Sequence, residues 1–153
     1  MPLVVNGWTL LYHPIFGDRY AALRDQVRAL KRELDDASWS RHPTTKLVAG
    51  VRKLVLDVIP CDPFAPEYHL RGELKDFYRA SGLGLPKRYR LFWVASRQAR
   101  AVIYLYLNDE TTLRKEGARS DPYVQFQAMV RRGDCGSDFE KNLAMWNEAQ
   151  SRT

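Results

Sequence analysis

One stretch constrains the fold more than any other: residues 101–107, Ala-Val-Ile-Tyr-Leu-Tyr-Leu, without a single charge or breaker. A strand apolar on both faces belongs at the centre of a sheet covered on both sides. Residues 88–95 read as its antiparallel partner, and Ser96-Arg97-Gln98-Ala99 as the hairpin loop between them. Alternate side chains of a strand share a face. Arg88, Arg90, Phe92 and Val94 therefore point one way, and Tyr89, Leu91 and Trp93 the other. In the partner strand, read over 100–108, Val102, Tyr104, Tyr106 and Asn108 share a face opposite Ile103, Leu105 and Leu107. The purely aliphatic set is expected to meet the helices.

The rest of the chain supplies those helices. Residues 7–13 read as a short strand ended by Pro14. A helix is expected from Asp18, with Tyr20, Leu23, Val27, Leu30 and Leu34 as one stripe and alternating charges opposite. Residues 35–43 read as a linker and 44–59 as a second helix, buried through Leu47, Val48, Val51, Leu54, Val55 and Val58. The two helices should form an antiparallel hairpin over the sheet. A Pro-rich loop (60–72), a strand (74–80) and a turn at Gly82-Leu83-Gly84-Leu85-Pro86 follow. One helical turn is expected at 111–116. Asp121-Pro122 caps a helix that Gly133 ends, and a final helix covers 137–149. The expectation is one α+β domain over 1–153: an N-terminal helical hairpin on a small, mostly antiparallel sheet, with C-terminal helices.

Charge points to the partner. The formal charge is +6 and the isoelectric point about 9.5, which favours an acidic ligand. The excess is concentrated: Lys87, Arg88, Arg90, Arg97 and Arg100 fall within fourteen residues that contain no acid, whereas 134–148 is acidic. Phosphate binding needs such a basic face. Arg88 and Arg90 suit phosphate, and Tyr104 and Tyr106, with Asn108, suit stacking and hydrogen bonding to bases. RNA is the leading ligand.

Other chemistries find little support. Cys61 and Cys135 are too few for a disulfide framework. His13, His42 and His69 are scattered, and no metal-ligand spacing, phosphate loop or Ser-His-Asp arrangement stands out. No cofactor is implied. The N-terminus lacks the basic region of a secretory signal, and the longest apolar run is far short of the ~20 residues that span a bilayer. A cytoplasmic protein, without membrane association, is expected.

Several motifs recur in a known order: Val5-Asn6-Gly7-Trp8, Tyr12-His13-Pro14, Thr45-Lys46-Leu47, Arg88-Tyr89-Arg90-Leu91-Phe92 and Asn108-Asp109-Glu110-x-Thr112-Leu113-Arg114. Asp121-x-Tyr123, Phe126 and Arg131-Arg132-Gly133 follow. Together they resemble the YhaV family of type II toxins, a branch of the RelE-like ribonucleases, over residues 5–146. The resemblance implies a RelE-like fold and an mRNA-cleaving endoribonuclease, acting on free or ribosome-bound transcripts. It also implies a neutralising PrlF-like antitoxin with an AbrB-type DNA-binding domain, through which alone operator DNA would be contacted. It gives Arg90 the scissile phosphate, and makes Arg114 or Lys115 the basic residue after the last strand and Tyr123 a C-terminal tyrosine at the RNA. The family often carries a lysine in the strand before the hairpin. Here Arg79-Ala80-Ser81 has none, so Arg79 or Lys87 would substitute and the general base stays open. Arg79, Arg90, Arg114 and Lys115 are thus the catalytic candidates; Lys87, Arg88, Tyr104, Tyr106, Asn108 and Tyr123 are the RNA-binding ones. A non-catalytic RNA- or ribosome-binding module and a metal nuclease using Asp109 and Glu110 are the competing readings.

Overall fold

A computed structural model describes residues 2–152. Its centre is a five-stranded sheet in the order β1-β2-β5-β4-β3. The strands are β1 (Leu3–Val5), β2 (Trp8–Tyr12), β3 (Tyr78–Ala80), β4 (Leu91–Ser96) and β5 (Ala101–Leu107). All pairs are antiparallel except β2 with β5. That exception follows from topology: the helices and loops between β2 and β5 return the chain to the same end of the sheet. As expected, β5 is central and buried along its length except at Tyr106.

Among the described residues, five α-helices complete the α+β domain: α1 (Pro14–Glu33), α2 (Asp36–Arg41), α3 (Pro43–Lys53), α4 (Pro122–Arg132) and α5 (Phe139–Ser151). None of the described helices is long and apolar enough to cross a membrane. α1 and α3 cover one face through Phe16, Tyr20, Leu23, Leu47 and Val51, against Leu10, Leu91, Trp93, Val102 and Tyr104. α4 and α5 cover the other, where Phe126 and Met129 meet Leu11, Phe92, Val94, Ile103 and Leu105.

Several local expectations are corrected. β1 was not foreseen; Asn6 and Gly7, at φ 51° and 81°, form the tight turn into β2, and Asn-Gly is the pair that such turns favour. α1 starts at Pro14, four residues before Asp18, because the buried His13 caps it: its Nδ1 accepts from the Ile15 amide at 3.2 Å. The expected linker holds α2, nucleated by Asp35, whose carboxylate accepts from the Ser38 amide at 2.7 Å. The second helix is α-helical only to Lys53, then widens into a π-turn (Leu54–Val58) and tightens to a 3₁₀ turn (Ile59–Cys61). The strand expected at 74–80 shrinks to β3, and residues 111–116 form no helix.

The largest correction concerns the faces of β5. Phe92 pairs with Tyr106, yet Trp93 pairs with Tyr104, so Leu105 is an extra residue, a β-bulge. The bulge reverses the alternation. Val102 and Tyr104 face α1 and α3, while Ile103, Leu105 and Tyr106 face α4. Of the aliphatic set, Ile103 and Leu105 turn away from the first helices and only Leu107, beyond the bulge, packs with them. Alternation alone does not reveal an inserted residue.

Gly50 fixes the loop that leads into β4. A Cβ there would sit 2.3 Å from the Gly84 carbonyl oxygen, so only glycine lets α3 lie this close to the 82–85 turn.

Candidate active site

At the end of the sheet where β4 begins and β5 ends, three arginines surround one tyrosine. Arg90 lies on the α4 face with Phe92. Its Nε donates to the Tyr123 hydroxyl at 3.3 Å, and its Nη1 to the Tyr89 carbonyl at 2.8 Å. Arg79 enters from β3, whose register sets it opposite Phe92, and its guanidinium carbon lies 5.9 Å from the Tyr123 ring centre. Arg114 arrives from the loop after β5, 4.9 Å from the same ring. Three of the four catalytic candidates therefore converge, although 35 residues separate Arg79 from Arg114. Tyr123, at the start of α4, is their shared floor.

The cations differ in how firmly they are held. Arg114 pairs with the buried Asp121 at 2.7 Å. That hydrogen bond raises the guanidinium's affinity for its proton further. The same Asp121 carboxylate accepts from the amides of Lys115 (2.8 Å) and Tyr123 (3.1 Å), so one residue caps α4 and aims Arg114. Arg90 and Arg79 have no carboxylate partner among the described residues. Arg79 donates one Nη1 bond, to the Glu67 carbonyl at 3.3 Å, and its buried Nε has no partner. A half-buried guanidinium without a counterion leaves a standing demand for an anion.

Asn108 holds the frame. It is fully buried. Its Oδ1 accepts from the Arg90 amide at 2.7 Å, and its Nδ2 donates to the carbonyls of Arg88 (3.1 Å) and Thr112 (2.8 Å). The Arg114 amide also donates to the Arg88 carbonyl at 2.8 Å, and Arg88 Nε returns a bond to the Arg114 carbonyl at 3.0 Å. Arg88 sits at φ 72°, a left-handed conformation rare for a bulky residue, and these bonds lock it there. Arg19 adds two more donors to this corner, to the Leu107 and Asn108 carbonyls at 3.0 and 2.7 Å.

The remaining candidates divide sharply. Tyr104 is fully buried, and its hydroxyl donates to the Val55 carbonyl that the π-turn frees, at 3.0 Å. Burial pushes that phenol well above its usual range. As placed, it cannot stack on a base. Asn108, with every polar atom committed to protein, is likewise a framework residue and not a ligand contact. Tyr106 is half-buried, stacked on Phe92 and Phe126 with its hydroxyl 3.5 Å from Thr112. Lys87, Arg88 and Lys115 are exposed beside the cluster.

The histidines stay out of it. His13 and His42 cap α1 and α3, and the His69 ring meets the Phe64 carbonyl at 2.9 Å. Asp109 Oδ1 takes the hydroxyls of Thr111 (2.6 Å) and Thr112 (2.9 Å) in a local turn. Sequence reading saw Asp121 as a cap but not as the partner of Arg114, and it missed Arg19. No local pattern links positions that meet only through the fold.

Comparison with known proteins shows the family. Residues 10–147 match the model of a family described as a toxin with endonuclease activity, of a toxin–antitoxin system. Toxin YhaV of Escherichia coli O6:H1 is 38% identical over 145 residues, covering 91% of this chain and 92% of its own. Ribonuclease toxin YhaV of Escherichia coli K12 is 37% identical over the same shares. No solved structure matches. The arginine cluster thus belongs to a chain that is a member of the YhaV family of toxins, the endonuclease partners of toxin–antitoxin systems.

Proposed function

We propose that this toxin is a metal-independent endoribonuclease of RelE-like fold that cleaves mRNA in the cytoplasm, and that the Arg79–Arg90–Arg114 cluster around Tyr123 is its catalytic centre. One observation carries the reading: three half-buried guanidinium groups gather at one corner, and two of them have no carboxylate partner among the described residues. In this scheme the RNA 2′-hydroxyl attacks the adjacent phosphorus. A bond from O2′ to phosphorus forms and the bond to O5′ breaks, leaving a 2′,3′-cyclic phosphate and a 5′-hydroxyl. Arg90 and Arg79 neutralise the charge that grows on the non-bridging oxygens. Arg114, anchored by Asp121, positions the strand. Lys115, Lys87 and Arg88 bind neighbouring phosphates, and Tyr106 adds aromatic surface beside them.

Proton transfer is the harder part, because arginine is a poor base near neutrality. The Tyr123 hydroxyl accepts from Arg90 and keeps its own proton to donate, so it is the cluster's best-placed group to shuttle a proton between O2′ and O5′. Positioning and charge stabilisation supply most of the rate. The neutralising partner is a PrlF-like antitoxin with an AbrB-type DNA-binding domain, and any operator contact is made by that partner. Whether the transcript is cut free or on the ribosome is decided by comparing the two substrates.

The test is a synthetic RNA incubated with purified protein in excess EDTA. Cleavage should persist, leave 5′-hydroxyl ends, and stop when the nucleotide 5′ to the cut carries a 2′-deoxyribose. Cleavage of the 2′-deoxy substrate contradicts the mechanism. Loss of activity in EDTA favours a metal nuclease using Asp109 and Glu110, and tight RNA binding without new ends makes the protein a binder.

A further inference from the structure

On the opposite side of the segment that carries Arg88 and Arg90 lies a cavity of about 430 Å³ between α1, α3 and the 86–89 loop. Its size is within the range of small-ligand sites. Its floor is apolar: Leu23 and Leu47, closed by Pro86 and the half-buried ring of Tyr89. Its rim is basic, with Arg41 and Lys46 exposed and Arg19 fixed by its two carbonyl contacts. Glu110 is the one carboxylate in the wall. An apolar floor, a cationic rim and a wall carrying one carboxylate beside the polar side chains of Gln26 and Thr44 suit a nucleotide: the base lies on the ring, the phosphate meets the cations, and the carboxylate receives an exocyclic amine.

We infer that this cavity is a subsite for an RNA nucleotide flanking the scissile bond, so that the transcript bends over the 87–90 segment from the arginine cluster into the groove between α1 and α3. The inference rests on the ribonuclease reading. It is supported by continuity as well as by charge. Tyr89, between Arg88 and Arg90, lines the cavity, and Glu110 lies two residues beyond Asn108, which holds the Arg90 amide. Lys87 and Arg88, both exposed, lie in sequence between the cavity residues Pro86 and Tyr89. The carboxylate in the wall predicts a preference among bases at that flanking position, which a purely phosphate-binding groove would lack.

The test uses a fluorescein-labelled, fully 2′-O-methylated 12-nucleotide RNA, which the proposed chemistry cannot cut. Binding is therefore read independently of cleavage. Arg41→Ala/Lys46→Ala should weaken binding five- to twenty-fold. It should also lower the slope of log affinity against log salt by about 1.4, the release of two single-strand contacts. Both residues are exposed, so the thermal melt should stay at the wild-type value. Arg28→Ala/Arg32→Ala removes the same charge from exposed positions of α1 and should leave affinity unchanged. A 4-thiouridine-labelled RNA should crosslink to the peptide carrying Tyr89 or Lys46. The inference is overturned if the first variant binds as the control does, if crosslinks fall only on α4, or if neutralisation by antitoxin weakens while RNA affinity does not. Wild-type protein that binds this RNA but never cleaves an unmodified one refutes the ribonuclease reading instead.

Discussion

The two faces of the sheet use the same kinds of residue in different ways. On the α1/α3 face, Tyr104 and Trp93 are completely buried, and each directs its polar atom to a backbone carbonyl, Val55 and Pro63 respectively. On the α4 face, Tyr106 and Tyr123 are only half-buried, and the arginines around Tyr123 retain unused donors. Around Trp93 and Tyr104 the first face is a closed core in which both polar side-chain atoms are satisfied. The second is a core with an open, over-charged end. In the proposed reading the closed packing around Trp93 and Tyr104 serves stability and the groups around Tyr123 serve bond cleavage, so substitutions at the two places should separate in their effects.

The largest effect should come from Trp93→Ala, which empties a fully buried site and removes the contact with Tyr68 at 4.9 Å between ring centres. A loss of about 3–5 kcal/mol in denaturant unfolding is expected; a loss below about 1 kcal/mol contradicts the closed-core account. Next, Tyr123→Phe should lower the cleavage rate about 100-fold, the lower end for a proton-transfer group, with the melting temperature nearly unchanged. If unfolding shifts and cleavage does not, the tyrosine belongs to the core. Asn108→Ala joins both properties. It should cost about 2 kcal/mol in stability and roughly ten-fold in cleavage. Asn108→Asp should not restore activity, because a carboxylate has no hydrogen to donate to the Arg88 and Thr112 carbonyls.

Smaller effects sharpen the contrast. Tyr104→Phe should cost about 1 kcal/mol and leave the cleavage rate of the folded protein intact. Cys135 is buried, and burial raises its thiol to about 12. Thiol labelling at pH 8 should modify the exposed Cys61 and spare Cys135. The folded thiol holds its proton more tightly than the unfolded one. Its contribution to stability is therefore full below about pH 9 and is lost as pH rises towards about 12. A stability that does not fall over that range contradicts the burial of Cys135.

How much of this was legible in the sequence depended on range. The central position of β5, the α4 cap at Asp121, the stop at Gly133 and the basic character of the β4 entry are local signals, and all appear in the fold. The assignment of faces was not legible, because the bulge at Leu105 shifts the phase of β5 after Tyr104 and sends Tyr106 to the α4 face while Tyr104 stays with α1 and α3. The convergence of Arg79 with Arg90 depends on the β3–β4 register, and the pairing of Arg114 with Asp121 on a loop closing over seven residues. Both are tertiary facts that residue spacing does not encode. His13, read as an unassigned histidine, turned out to be a cap because the helix begins one turn earlier than its apolar stripe indicates.

The central claim is that the guanidinium of Arg90, which has no carboxylate partner among the described residues, stabilises charge on a cleaved phosphate and contributes little to folding. It is tested most directly by the single-turnover cleavage rate of Arg90→Ala, measured beside its melting temperature. A rate lowered 10²- to 10³-fold, about 3–4 kcal/mol in the barrier, with an unchanged melt is the predicted result. A wild-type rate in the folded variant would contradict the account.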